Sequence, residues 1–229
     1  MLKTEPPKKF AIALFHGFQA LDVFGPIDAL NLLSFSKPLE LCILAETMDP
    51  VSTVPERLPA DSPIPNLPAV GVIGESIVPS HTYKNAPEDI EVLLVPGGRG
   101  TRNLPRTQHV ADFIKERFPK LRYLLTICTG ASIAARSGVL DGKNATTNKM
   151  AFDWVVTQGP NVKWARRARW VREGNVWTSS GLTAGIDMMY AFIADQYGEE
   201  KADWIAEASE FTRNKDPTDD PFNKEMVRV

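Results

Sequence analysis

Three short segments of the sequence carry groups that could do chemistry together. Cys128-Thr129-Gly130 follows the apolar run 121–127 and precedes the small-residue stretch 131–137. An apolar run that enters a helix through so short a turn predicts a strand-to-helix elbow, which exposes a nucleophile at the edge of a sheet. The dipole and free N–H groups of the following helix favour thiolate over thiol, so the pattern predicts a Cys128 pKa below that of free cysteine. Gly130 lets chain and substrate approach closely. The competing reading is an inert packing cysteine, the common state of a buried thiol. Cys42, inside the apolar stretch 39–45, has none of this context and reads as core.

Pro96-Gly97-Gly98-Arg99-Gly100 follows a second apolar run, 90–95. A glycine-rich turn there can aim backbone N–H groups at a developing negative charge. Read blandly it is a tight turn, and its spacing is not that of a phosphate-binding loop. The third segment holds Asp22 between Leu21, Val23 and Phe24. Such neighbours predict partial burial, which raises a carboxyl pKa and lets the protonated form donate a hydrogen bond to a thiolate. A helix N-cap is an equally good use of Asp22.

The elements that must position these groups are short apolar runs alternating with amphipathic stretches. Strands are expected at 10–15, 39–45, 90–95, 121–127 and 145–147, with one or two short ones within 70–78. Helices are expected at 25–33 with Pro26 in the first turn, at 107–117, at 131–137 ended by Gly138, at 149–157, at 183–197 and at 199–211. Stretches 164–171 and 176–179 flank Glu173-Gly174-Asn175 as a hairpin. The Pro-rich stretch 47–69 reads as a surface excursion with room for a short hairpin. The alternation implies one α/β domain, core about 9–212 with an extended tail 213–229, built on a mainly parallel sheet covered on both faces. Ligands bind such sheets at the carboxyl ends of the strands. That rule selects the residues after Phe15, Val95 and Ile127.

The 229 residues carry a net charge of −2, with 43% apolar and 24% charged residues, the balance of an ordinary globular chain. No dominant basic run provides the field that nucleic acid requires. Lys163, Arg166, Arg167, Arg169 and Arg172 are expected to form a solvated hairpin face. Two cysteines are too few for a disulfide scaffold. No apolar run near the N-terminus is long enough for a signal peptide or membrane span, so a cytoplasmic location is expected.

The segments Leu21-Asp22-Val23-Phe24-Gly25-Pro26, Val95 to Arg102, Ile127 to Ala131, Gly138 to Gly142, Ala145 to Thr147 and Thr183 to Asp187 together resemble, in the same order, the ThiJ/PfpI superfamily. The resemblance runs from about residue 10 to 197, and it is greatest with the isocyanide hydratase-like branch, which includes sensor domains fused to AraC-type regulators. The ordered motifs are specific to the superfamily and much less so to a substrate. The resemblance implies a class I glutamine amidotransferase-like fold, a flavodoxin-like three-layer α/β sandwich with a nucleophile elbow, usually a homodimer. It assigns Cys128 as nucleophile and Asp22 as the neighbouring acid. It implies that the amides of Gly98 and Thr129 line an anion pocket, that Gly97, Arg99, Gly130 and Asn148 support it, and that Ile186 lies on the helix packing beside the cysteine. No cofactor and no metal is implied, and no His/Cys/Asp cluster has ligand spacing.

One departure bears on the reaction. Many relatives have a histidine where this chain has Asn148; His16, His81 and His109 do not occupy that place, and His16 reads as a surface loop residue. Peptide hydrolysis needs a general acid for the leaving amine, so a protease is disfavoured. Hydration of an isocyanide to an N-substituted formamide needs less help, because the isocyanide carbon is already electrophilic. A cofactor-free glyoxalase on the same scaffold and a cysteine redox sensor are the alternatives. No DNA-binding segment is read after Tyr197, so a fused regulator is not expected.

Overall fold

Apolar runs with no polar alternation become strands buried on both faces, and here they form the centre of the sheet. The computed structural model describes residues 5–58 and 71–223. In chain order its elements are Lys9–Ala13 (β1), Ala20–Ser34 (α1), Glu40–Ala45 (β2), Val51–Ser52 (β3), Ser76–Ile77 (β4), His81–Thr82 (β5), Val92–Val95 (β6), Gln108–Arg117 (α2), Tyr123–Thr126 (β7), Gly130–Arg136 (α3), Asn144–Ala145 (β8), Phe152–Gln158 (α4), Lys163–Trp164 (β9), Trp170–Glu173 (β10), Val176–Ser179 (β11), Leu182–Tyr197 (α5) and Glu199–Ala208 (α6).

Seven strands form the main sheet in the order β10-β11-β7-β6-β1-β2-β5. Every neighbouring pair is parallel except the β10/β11 hairpin at the edge. Helices α1, α5 and α6 pack together as one layer and α2, α3 and α4 as another, so the expected three-layer α/β sandwich with a mainly parallel sheet is what the chain forms. Phe192 of α5 clamps one face of the sheet. Its ring meets Phe10, Tyr123 and Trp177 edge-on at 6.5, 5.1 and 5.8 Å. Among the described residues, no helix is long and apolar enough to cross a membrane.

The expected boundaries shift where tertiary packing overrides local signals. Helix α1 does not start at Gly25 but at Ala20, and Pro26 lies inside it. Burial of Val23, Ala29, Leu30 and Leu33 holds the helix through the missing N–H. The stretch 164–171 is not one strand: Lys163–Trp164 pairs with Asn144–Ala145, and only Trp170–Glu173 forms the hairpin with β11. The excursion after β2 does hold a small hairpin, β3 against β4; residues 59–70 lie outside the described residues. Arg169 does not join the solvated basic face. It is buried, and its Nε and Nη2 donate to Asp187 Oδ2 at 2.8 and 2.5 Å. Cys42 is half-buried at the rim of the core rather than within it.

Candidate active site

The carboxyl ends of β6 and β7 bring the three segments together. The Ile127 N–H donates to the Val95 carbonyl at 3.0 Å and the Gly130 N–H to the Ile127 carbonyl at 2.9 Å, closing a turn around Cys128. Cys128 has φ +56°, a left-handed conformation shared among the described non-glycine residues only with Glu210. A side chain held there costs about 1–3 kcal/mol and persists only where surrounding contacts impose it. Those contacts include the Thr147 hydroxyl, which donates to the Cys128 carbonyl at 2.7 Å. Two glycines let the turn close. A Cβ at Gly97 would lie 2.5 Å from the Thr129 nitrogen, and one at Gly130 would lie 2.3 Å from the Val95 oxygen. Gly130 therefore serves the approach of β6 to the elbow.

Asp22, in the first turn of α1, reaches into the same place. It is 2% exposed, its Oδ2 accepts from the Gly97 N–H at 2.9 Å, and its Oδ1 has no hydrogen-bond partner among the described residues. Burial raises its pKa from 3.8 to about 7, opposed by the Gly97 N–H and by hydrogen bonding with the Cys128 thiol. Asp22 is thus not an N-cap: the residue at that position is Gln19, which makes no side-chain cap.

The expected lowering of the Cys128 pKa is reversed. Cys128 is 7% exposed, and burial pushes its thiol well up, with the Asp22 carboxylate adding to the rise. The Thr129 N–H and hydroxyl pull it down, as does the Arg102 guanidinium, but they do not prevail. The helix that follows, α3, has only seven residues, and its terminus does not offset removal of the sulfur from water. Thiol and carboxyl therefore titrate as a pair. The state with one proton between them has two forms, carboxylate with thiol and carboxylic acid with thiolate.

The remaining expected residues divide. Thr129 directs its N–H at the sulfur, whereas the Gly98 N–H is occupied, donating to Thr129 Oγ1 at 2.9 Å. Arg99 opens a short 3-10 turn, Arg99–Arg102, and is partly exposed. Asn148 caps the turn into α4, its Oδ1 accepting from the Ala151 N–H at 3.1 Å. Ile186 on α5 packs on Gly25, where a Cβ would lie 2.6 Å from its Cγ1. His16 is exposed on its loop. Sequence reasoning missed the roles of Thr101, Arg102 and Thr147. Thr101 is fully buried, donating to the Gly98 carbonyl at 2.8 Å beside the Thr129 hydroxyl at 3.2 Å. The Arg102 guanidinium lies 4.7 Å over the Trp154 ring. A charged and a hydroxyl residue closing the glycine-rich turn were the available signal. Among the described residues, no group of three or more His, Cys, Asp or Glu is placed to hold a metal.

The arrangement sets a buried carboxyl against a buried sulfur so that a proton can pass between them, which is one requirement for covalent attack on a small electrophile. Comparison with known proteins agrees at the level of family. Residues 8–195 match the DJ-1/PfpI family. An isonitrile hydratase of Pseudomonas putida is 29% identical over 192 residues, 84% of this chain and 73% of that protein. The HTH-type transcriptional regulator GbdR of Pseudomonas aeruginosa is 30% identical over 146 residues, 64% of this chain but 39% of the regulator. A ThiJ/PfpI family protein from Pseudomonas syringae superposes with TM-score 0.73 at 25% identity, covering 97% of this chain and 80% of that one. The chain belongs to the DJ-1/PfpI family, which holds both enzymes and regulators.

Proposed function

We propose that this protein hydrates an isocyanide to an N-substituted formamide, with Cys128 as nucleophile and Asp22 as proton carrier. The observation that carries the reading is the buried Asp22 carboxyl, one oxygen without a hydrogen-bond partner among the described residues, set against a cysteine held in a left-handed elbow. Asp22 takes the thiol proton as the sulfur attacks the terminal carbon, then delivers it to that carbon, giving a thioimidate. Water adds its hydroxyl to the carbon, with Asp22 as base, and its proton passes to nitrogen. Collapse of the adduct expels the sulfur, releases the formamide, and leaves one proton on the Cys128–Asp22 pair. The Thr129 amide and the Arg102 guanidinium steady the sulfur's charge at each end of the cycle.

A redox sensor wants a low-pKa, accessible thiolate. Cys128 is buried with a raised pKa, which favours the enzyme reading. A glyoxalase must move a proton between two carbons, and Asn148, occupied in capping a turn, supplies no base for it. The test is formamide production from p-nitrophenyl isocyanide by the purified protein, with methylglyoxal consumption and intact mass after mild peroxide measured alongside. Turnover of the isocyanide supports the reading. Lactate from methylglyoxal, or a sulfinic acid without turnover, would replace it.

A further inference from the structure

Residues 214–223 lie beyond the family match and fold back over the body of the protein. The Asn214 N–H donates to Asp187 Oδ1 at 2.8 Å, and the Arg169 N–H donates to the Pro217 carbonyl at 2.7 Å. Asp220 is drawn in furthest. Its side chain is 1% exposed and lies 3.1 Å from Lys149 Nζ, whose side chain is 7% exposed. Lys149 Nζ also donates to the Thr146 hydroxyl and to the Thr147 and Ala168 carbonyls. The Lys149 ammonium thus has its hydrogen bonds within the body of the protein and meets Asp220 Oδ2 as a buried ion pair, and such a pair anchors the segment because removing one partner leaves the other charge buried alone.

The strap walls a cavity of about 710 Å³ whose apolar surface comes from Leu21, Met150, Leu182, Ala184, Pro221 and Phe222. Three further relations place this cavity beside the Cys128 elbow. Leu21 precedes Asp22. Asn148, also lining the cavity, follows Thr147, whose hydroxyl holds the Cys128 carbonyl. Ser180, another lining residue, lies just past the end of β11 as Cys128 lies just past the end of the adjacent β7, each two residues beyond the register partners Thr178 and Thr126. The charged groups in the wall are neutralised, Lys149 by Asp220 and Arg169 by Asp187. The cavity therefore offers apolar contact with no free charge, a setting that rejects an ionic ligand.

We infer that the segment 214–223 is a specificity wall: Pro221 and Phe222, fixed through Lys149 and Asp220, favour electrophiles that bring a bulky uncharged substituent to Cys128 over small or anionic ones. The inference rests on the proposed function only in taking Cys128 as the reacting group. The test uses the full chain and a maleimide series carrying N-methyl, N-hexyl or N-carboxyethyl groups, with adducts at Cys128 quantified by peptide mass spectrometry and glutathione as the unstructured reference. Relative to glutathione, the hexyl reagent should gain at least about tenfold over methyl, the equivalent of burying two methylenes, and the carboxyethyl reagent should gain nothing. Phe222→Ala should cut the hexyl-to-methyl ratio about threefold or more, and Phe222→Leu should restore most of it. Asp220→Asn should lower the ratio as well; because it also risks the fold, the exposed Phe222 carries the decision. A wild-type ratio equal to that of glutathione, or one unmoved by Phe222→Ala, would overturn the inference. So would a Phe222→Ala protein that turns from dimer to monomer in light scattering with its ratio unchanged, since the apolar rim would then be a subunit contact. Isocyanide turnover separates the two claims. Selectivity without hydration removes the hydratase and keeps the wall, and hydration without selectivity does the reverse.

Discussion

Cys42 lies within the main sheet and Cys128 just past the end of one of its strands, β7, and in both burial raises the thiol pKa above its ordinary value. Cys42 lies mid-strand in β2, in register with Ala11, half-buried and in regular extended structure. The carboxylates that raise its pKa further, Glu40 and Asp89, are already paired with Lys9. Cys128 is more deeply buried and is held in a strained turn. Its carboxylate neighbour, Asp22, has an oxygen with no hydrogen-bond partner among the described residues and a pKa that burial raises to about 7. A depressed pKa therefore does not distinguish the two thiols. On the proposed reading, what distinguishes them is a partner able to accept the proton when the sulfur reacts, which would let a buried thiol act as a nucleophile without being a thiolate at rest.

The sharpest break of this contrast is substitution at sulfur. Cys128→Ser should fold normally and reduce isocyanide turnover to background, while Cys42→Ser leaves turnover unchanged; steady-state assays with circular dichroism on both variants check this. Next, Asp22→Asn should lower turnover by roughly 10²- to 10⁴-fold, the range for loss of a positioned proton carrier, while the Cys128 side chain remains alkylatable. Asp22→Glu should retain a small residual rate, because a displacement on the order of 1 Å costs about a hundredfold.

The same substitution should move stability in the opposite direction. The folded-state pKa of Asp22 is raised from 3.8 to about 7, so its favourable contribution is complete below pH 4 and is lost as pH rises through 7. At pH 9 Asp22→Asn should therefore be more stable than wild type, by up to an amount on the order of 4 kcal/mol, and the difference should vanish near pH 3. Denaturant midpoints at the two pH values measure it, and a pH-independent difference would contradict the buried carboxylate. The smallest effect concerns Thr129. Thr129→Val removes the acceptor of the buried Gly98 N–H and should cost about 1–3 kcal/mol in chemical denaturation, with Thr129→Ser restoring most of it.

Much of the geometry of this candidate site was legible in the sequence because its parts are local. An apolar run meeting Cys128-Thr129-Gly130 specifies an elbow, and apolar neighbours around Asp22 specify burial. The direction of the Cys128 pKa was not legible, since a helix terminus is visible in the sequence but the depth of burial is set by elements far along the chain. The same limit explains Arg169, which belongs to a basic-looking stretch yet turns inward to meet Asp187. It also explains the strap: Asp220 stands in a polar tail, and nothing near it in sequence announces Lys149 as its partner. Helix α1 runs through Pro26 because its buried face outweighs a local stop signal.

The proton partnership of Cys128 and Asp22 is tested most directly by the pH dependence of alkylation at Cys128, read residue by residue with iodoacetamide. In wild type the Cys128 rate should rise as pH passes through about 7, where Asp22 becomes a base, and then level off, while the Cys42 rate climbs steadily into the alkaline range. In Asp22→Asn the step near pH 7 should disappear. A Cys128 profile that climbs steadily in wild type and superposes on that of Asp22→Asn would contradict the account.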